Sequence, residues 1–280
     1  MPSDETEKFL KELANDLNSR NISLPSFPDV VIRIRSELED PTCTADQLAG
    51  VARTDPVLVS RLLVAANSAF HNRAGIRIVD LNLAVSRLGF EAVRNAAIAL
   101  AVEQIFRSSR HPDLREPLRD LWSRSISLSS MCYVLASGQE AVSEDSAFLC
   151  GLLHDIGKLY ILQKAKDFPR LLGDRESLQK VLAEWHPGIG RSIVESWEFP
   201  PEIADTINLA DVWHDRGSKK ASMIDVVYTA VALIDSPDEM LGEDPLHPAI
   251  GRVIGNAAQF DTIRETYARH LQSIRQAVGG

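Results

Sequence analysis

The stretch that decides the fold is Gly151-Leu152-Leu153-His154-Asp155-Ile156-Gly157-Lys158-Leu159. It places an adjacent histidine and aspartate inside an otherwise apolar segment that predicts a helix. An imidazole and a carboxylate at a core boundary must be hydrogen-bonded, ion-paired or metal-bound, because burial without partners costs free energy. Neutral imidazole and carboxylate are also a natural ligand pair for a divalent cation. His154 and Asp155 are therefore candidate metal ligands, and the alternative is that they only satisfy local polar groups.

The rest of the chain predicts an all-α protein. Helical periodicity recurs in almost every segment, and no alternating β-branched run with hairpin turn residues occurs. Thr44, Asp55 followed by Pro56, and Ser143 are typical helix-start residues. We predict helices near residues 4–20, 28–39, 80–89, 90–106, 118–137, 144–164, 176–185, 187–197, 201–210, 221–235 and 261–277, with further short ones beginning at Thr44 and Asp55.

A polar segment with two prolines, residues 108–117, predicts the boundary between two lobes. We expect an N-terminal helix in residues 1–21 and an N-terminal helical lobe in residues 22–110. Residues 111–280 should form a second helical lobe that includes the C-terminal helix.

The composition is typical of a globular protein and narrows the function. The 280 residues are 45% hydrophobic and carry a formal net charge of −9, which argues against a nucleic-acid binder because a phosphate backbone needs a basic face. Cys43, Cys132 and Cys150 are far apart and odd in number, as expected in a reducing cytoplasm. Neither a signal peptide nor a membrane-spanning segment is evident, so we expect a cytoplasmic location.

A second informative string is Glu184-Trp185-His186-Pro187-Gly188-Ile189-Gly190. Pro187 suggests that His186 stands at a helix start, from which its side chain can point into a cleft. The string GLLHDIGK at 151–158 resembles the central motif of the HD phosphohydrolase superfamily, and the second string is similar to the motif that follows it in HD-related domains. The resemblance adds His186 as a third candidate metal ligand and implies hydrolysis of a nucleotide or cyclic nucleotide as one possible activity.

The N-terminal half resembles HDOD proteins, which are regulatory relatives of the HD hydrolases. The resemblance rests on three strings: Leu24-Pro25-Ser26-Phe27-Pro28, then Thr54-Asp55-Pro56-Val57-Leu58 continuing to Phe70, and Ala84-Val85-Ser86-Arg87-Leu88-Gly89-Phe90 with Val93-Arg94-Asn95. It covers about residues 22–240. It implies a two-lobed all-helical fold and a role in bacterial signal transduction, with response regulators or cyclic-dinucleotide enzymes as partners.

The metal-ligand pattern of active HD proteins is incomplete in this chain. The resemblance implies a histidine on the preceding helix and a later aspartate, which together hold a water-activating ion. Arg124 stands where that histidine would fall, and an arginine repels a cation. Asp225 and Asp235 are imperfect substitutes for the aspartate, while Asp211 and His214 are close enough in sequence to contribute.

Arg124 is a candidate partner of Asp155 and would then place its guanidinium where a metal would sit. We assign Arg124 and Lys158 to the cleft and no residue to catalysis. The predicted function is a non-catalytic HDOD regulatory module that binds proteins or a small ligand. The alternative is a metal-dependent phosphohydrolase that uses His154, Asp155, His186 and Asp235 with iron, manganese, nickel or magnesium.

Overall fold

The structure, a computed structural model, describes residues 4–19, 22, 27–209, 220–235, 247–254 and 257–278. Within these residues the chain forms helices and no strand, which confirms the all-α prediction. A short 3₁₀ turn, Pro112–Leu114, precedes the seventh helix. In chain order the helices are α1 (Asp4–Asn18), α2 (Asp29–Leu38), α3 (Ala45–Ala52), α4 (Pro56–Asn67), α5 (Leu81–Leu88), α6 (Phe90–Arg107), α7 (Arg115–Ala136), α8 (Glu144–Leu153), α9 (Ile156–Ala165), α10 (Pro169–Gly173), α11 (Arg175–Ser196), α12 (Pro201–Asp205), α13 (Met223–Asp235), α14 (Pro248–Val253) and α15 (Ala257–Val278).

The predicted helix starts are confirmed by their hydrogen bonds. Thr44 Oγ1 accepts from the Gln47 backbone N–H at 3.3 Å, and the Gln47 side chain accepts from the Thr44 N–H at 2.9 Å. Asp55 caps α4 in front of Pro56, and the Ser143 hydroxyl caps α8. Each cap satisfies N–H groups that have no partner inside the helix. Local sequence therefore determines where these helices begin.

Two of the wrongly predicted helix boundaries flank candidate ligands. The expected helix at 144–164 is divided into α8 and α9, with His154 and Asp155 at the junction. The helices expected at 176–185 and 187–197 form the single helix α11, with Pro187 inside it. His186 therefore lies within a helix, one residue before a proline, instead of at a helix start.

The first compact unit comprises the described parts of residues 1–24 and 106–255. Its core includes the apolar faces of α7 and α8, where Leu128 and Leu152 are fully buried. The two helices approach so closely that a Cβ added to Gly151 would lie 2.7 Å from the backbone of Leu128. Helix α1 also belongs to this unit, since Asp16 Oδ2 accepts hydrogen bonds from the Tyr160 hydroxyl and Lys164 Nζ.

The second compact unit comprises the described parts of residues 25–105 and 256–280. Helix α15 packs against α4 in this unit, where the His270 ring lies 4.7 Å from that of Phe70 and Arg61 Nη2 donates to the Val278 carbonyl at 3.3 Å. This helix thus groups with residues 25–105, whereas the sequence predicts it within the lobe of residues 111–280. None of the described helices combines the length and apolar character needed to cross a membrane.

Candidate functional site

His154 follows the last residue of α8 and is buried, with 4% of its surface exposed. Its Nδ1 lies 3.3 Å from the carbonyl oxygen of Thr206. Because a carbonyl only accepts hydrogen bonds, this contact places the proton on Nδ1 and leaves the lone pair on Nε2. Burial lowers the pKa of His154 below its ordinary value despite the nearby Asp155 carboxylate, so the ring is neutral near pH 7.

Asp155 precedes the first residue of α9 and has no exposed surface. Both of its oxygens contact cations: Arg124 Nε lies 2.7 Å from Oδ2, and Lys158 Nζ lies 2.7 Å from Oδ1. Burial alone would raise the pKa of Asp155, but His154, Lys158 and Arg124 outweigh it and hold the pKa well below the usual range. Asp155 is therefore a buried, ionised carboxylate with a cation on each oxygen.

Arg124 joins two carboxylates that are far apart in sequence. It projects from α7, donates from Nε to Asp155, and forms a two-pronged contact with Asp235 at the end of α13. The second prong, Nη2 to Asp235 Oδ2, measures 3.0 Å. A planar guanidinium suits such paired contacts, since its N–H groups point outward in fixed directions. Burial would lower the pKa of Arg124, but Asp235 and Asp155 raise it, so this side chain stays charged.

His186 is held by the carbonyl groups of its own helix. Its Nδ1 lies 2.9 Å from the Leu182 oxygen and 3.2 Å from the Ala183 oxygen. In an uninterrupted helix the Ala183 carbonyl would accept from the N–H of residue 187, which proline lacks. The imidazole supplies the missing donor, which accounts for a proline inside α11. Burial, followed by the charge on Lys158, lowers the pKa of His186 to about 4.

Two glycines bring His186 next to His154. A Cβ added to Gly157 on α9 would lie 2.1 Å from the His186 carbonyl oxygen, and a Cβ on Gly190 would lie 3.3 Å from the Gly157 nitrogen. The backbones of α9 and α11 are therefore in direct contact at this level. As a result the rings of His154 and His186 meet edge to face, with centroids 6.1 Å apart.

The three candidate ligands meet the distance requirement for a metal, since donor atoms of His154, Asp155 and His186 lie within 4.8 Å of one another. The charges beside them do not suit one. A cation on Asp155 would share the fully buried carboxylate with Arg124 and Lys158, each 2.7 Å from one of its oxygens, and their positive charges would repel it. The residues present therefore do not fit a resident, water-activating metal ion.

The other predicted positions lie apart from this donor group. Asp235 contacts Arg124 instead of joining the histidines, and Asp225 pairs with Arg252 at 2.7 Å. Asp211 and His214 lie outside the described residues. Sequence reasoning did not identify Thr206, whose carbonyl fixes the ring of His154, because a backbone acceptor leaves no trace in the sequence.

An open cavity of about 560 Å³ lies in the same unit, away from the histidine–aspartate pair. It is lined by residues 108–112 together with Gln163 and Lys166, near the C-terminal end of α9. It is lined by none of the candidate site residues His154, Asp155, His186, Arg124, Lys158 and Asp235.

One comparison with known proteins identifies the family, and the solved structures share the fold. A family model described as HDOD domain matches residues 24–212, and no curated protein matches the chain. A structure from Shewanella amazonensis SB2B, provisionally named a metal-dependent phosphohydrolase, is 24% identical with a TM-score of 0.79, and the match covers 97% of this chain and 100% of that one.

Two further solved structures share the fold at lower similarity. An HDOD domain protein of unknown function from Geobacter sulfurreducens is 23% identical with a TM-score of 0.65, over 90% of this chain and 93% of that one. A provisionally named signal transduction protein from Marinobacter aquaeolei VT8 is 21% identical with a TM-score of 0.66, over 99% of this chain and 66% of that one. The family model spans more than half of the chain, and this protein therefore belongs to the HDOD family and has its all-helical, two-lobed fold.

Proposed function

We propose that this protein is a non-catalytic HDOD regulatory module that acts by binding a signalling protein or a small ligand. The main support for the proposal is that two cationic side chains contact the carboxylate of Asp155, the acidic residue of the histidine–aspartate pair. Arg124 and Lys158 each contact one of its oxygens at 2.7 Å, so a metal on either oxygen would lie next to a fixed positive charge. The guanidinium takes the place that a cation would need.

The charges of the cluster support the same conclusion. Arg124 and Lys158 are balanced by Asp155 and Asp235, while both imidazoles are neutral because burial lowers their pKa values. A divalent ion would add two positive charges to a group that is already balanced. Such an addition is unfavourable next to the buried Asp155 carboxylate, where charges are poorly screened.

The second candidate is a metal-dependent phosphohydrolase. Two neutral imidazoles whose Nε2 atoms carry lone pairs, next to a carboxylate, form a partial ligand set for a divalent metal. If Arg124 turned away, Asp235 would be released as a further ligand. This activity therefore requires a rearrangement of Arg124, whereas the regulatory function requires none.

The partners we propose are signalling proteins, such as response regulators or cyclic-dinucleotide enzymes, in a bacterial cytoplasm. Support comes from family membership and from the signal transduction name of the Marinobacter structure. Nothing in the cluster selects one of these partners over another, since Arg124 and Lys158 are both directed at Asp155 inside the protein.

The test compares the wild type with Asp155→Asn and Asp155→Ala. Each protein is purified without chelators, its metal content is measured, and phosphatase and phosphodiesterase activity is screened with added manganese, iron, nickel or magnesium. We expect far less than one metal ion per chain and no activity that depends on Asp155. Stoichiometric metal in the wild type, or an activity lost in the isosteric Asn variant while its helical circular dichroism is unchanged, would favour the phosphohydrolase.

A gain-of-function variant complements this loss test. Arg124→His removes the guanidinium, places an imidazole on α7 and frees both Asp155 Oδ2 and Asp235. We expect this variant to bind manganese or iron more tightly than the wild type, as measured by titration calorimetry. Equal metal affinity in the two proteins would show that Arg124 does not exclude the ion.

A further inference from the structure

The loop between α4 and α5, residues 68–80, is held in place by two asparagine side chains. Asn67 accepts from the Ile78 N–H and donates to the Ile78 carbonyl, both at 2.7 Å. Asn72 donates to the Ile76 carbonyl at 2.8 Å and accepts from Arg87 Nη1 at 2.6 Å. Side chains thus supply the backbone partners that a helix or sheet would otherwise provide. The α4–α5 loop therefore has a defined shape without regular secondary structure.

This fixed loop presents apolar side chains to solvent. Val79 is 74% exposed, Ile76 67% and Leu83, in the first turn of α5, 61%, and these are the three most exposed large hydrophobic residues in the described part of the chain. Single exposed apolar residues are common on protein surfaces. Here three such residues lie within eight positions, next to Ile78, which is buried and hydrogen-bonded to Asn67. They form an apolar patch, and its burial by a partner would be favourable.

The same loop is positively charged on an acidic protein. Arg73 and Arg77 are exposed, and neither forms an ion pair with any residue that the structure describes. The nearest acid in the loop is Asp80, whose carboxylate caps α5 by accepting from the Leu83 N–H at 2.9 Å. The whole chain carries a formal net charge of −9, so the net charge of the loop has the opposite sign to that of the protein.

We propose that the α4–α5 loop with Leu83 is a docking surface for a protein segment that combines acidic and apolar side chains. Carboxylates of the partner would pair with Arg73 and Arg77, while its apolar residues would cover Ile76, Val79 and Leu83. A fixed surface loses little conformational entropy when it binds, which favours a specific protein contact. A lipid surface fits less well, since Ile76, Val79 and Leu83 include no aromatic anchor, the Phe70 ring packs against His270, and the loop has no lysine. The inference does not depend on whether the histidine–aspartate site is catalytic.

The probe is a fluorescein-labelled amphipathic peptide with glutamate on one helical face and leucine on the other. Its binding to the full chain is measured by fluorescence anisotropy at low salt. We expect two double variants, Ile76→Ser with Val79→Ser and Arg73→Glu with Arg77→Glu, each to weaken binding by at least about tenfold. The first removes the apolar contacts with the peptide and the second removes the ion pairs. A peptide with lysine in place of every glutamate should bind at least about tenfold more weakly than the original.

The matched control is Val57→Ser. Val57 is 51% exposed on the same unit, but it lies at the opposite end of α4 from Asn67, about 15 Å away along the helix. Its binding should equal that of the wild type. The proposal is overturned if the wild type does not bind the peptide, if Val57→Ser loses as much affinity as the loop variants, or if the lysine peptide binds equally well. It is also overturned if the loop variants leave peptide binding unchanged and instead lose binding to phosphatidylserine vesicles or a dimer seen by sedimentation, which would assign the patch to a membrane or to a second copy.

Discussion

At the scale of single residues, Arg124 determines the chemistry of the site. It stands where the resemblance to HD proteins predicts a histidine, and its guanidinium contacts Asp155 and Asp235 together. Removing one member of a buried ion pair costs much more than the pair contributes, because the remaining charge loses its compensation. The stability of the cluster is therefore sensitive to this one side chain.

We predict that Arg124→Ala lowers the free energy of unfolding by about 3 kcal/mol, since Asp155 would keep only Lys158 as a charged partner. Urea denaturation at pH 7 measures the change. Arg119→Ala is the matched control, because Arg119 lies on the same helix with 71% of its side chain exposed. That control should change stability by less than about 0.5 kcal/mol. Equal effects of the two substitutions would mean that the Asp155 pairing contributes nothing.

The second residue-scale prediction concerns pH and His186. Its pKa is about 4 in the folded protein, below the ordinary value of 6.5, so between these values the unfolded chain binds a proton that the folded chain does not. Stability from the neutral ring is therefore complete above pH 6.5 and is lost as the pH falls toward 4. His186→Asn keeps a donor near the Leu182 carbonyl but cannot titrate.

Unfolding free energies measured by urea denaturation between pH 8 and 4 should fall less steeply for His186→Asn than for the wild type. Above about pH 7.5 the two curves should run parallel, because the imidazole is neutral in both the folded and unfolded chains. Parallel curves over the whole range would contradict a lowered pKa at His186.

At the scale of helices, close backbone contact positions the site. Gly157 on α9 lies against α11 at His186 and Gly190, with no space for a methyl group. Interiors are close-packed, so an added carbon here must move a helix instead of filling a void. The glycine that follows the histidine–aspartate pair therefore serves to place the second histidine.

We predict that Gly157→Ala destabilises the protein by about 3 kcal/mol, because its Cβ would meet the His186 carbonyl. Gly50→Ala provides the control: it lies within α3 and its Cβ would meet nothing within 4 Å. That substitution should stabilise by about 0.5–1 kcal/mol, since alanine loses less backbone entropy in a helix. Thermal denaturation of both variants tests the contrast, and a Gly157→Ala protein as stable as the wild type would refute the close contact.

At the scale of the whole molecule, folding should not depend on a metal. Each compact unit has its own apolar core, with Leu128 and Leu152 fully buried in the first and Leu58 and Leu62 in the second. The cluster around Asp155 is balanced by its own side chains. Neither feature requires a bound ion.

We therefore predict that EDTA, or added manganese, changes the melting temperature of the wild type by less than about 1 °C. A metal bound only by the folded state at about 100 times its Kd would stabilise by about 2.7 kcal/mol and raise the Tm by several degrees. Arg124→His is the companion sample, and its Tm should rise with manganese. A rise in the wild type of the same size would contradict the proposed metal-free site.

The sequence by itself determined the features that depend on neighbouring residues. Thr44 with Gln47, Asp55 with Pro56, and Ser143 fix helix starts through contacts within a few positions, and all are confirmed. The all-helical fold and the family were also predictable from periodicity and from ordered motifs. The pairing of Arg124 with Asp155 was expected because a buried carboxylate needs a positive partner, and the structure places them in contact.

Only the tertiary structure decided the rest, because the relevant partners are distant in sequence. The Arg124 contact with Asp235 joins positions 111 residues apart, and the Thr206 carbonyl reaches His154 across 52. Pro187 looked like a helix start because its missing N–H normally leaves a carbonyl unsatisfied, whereas the imidazole of His186 supplies that donor. Local sequence patterns specify the helices, but packing between helices decides which charged side chains are in contact. In this protein the contacts of Arg124 with Asp155 and Asp235 determine whether the site can hold a metal.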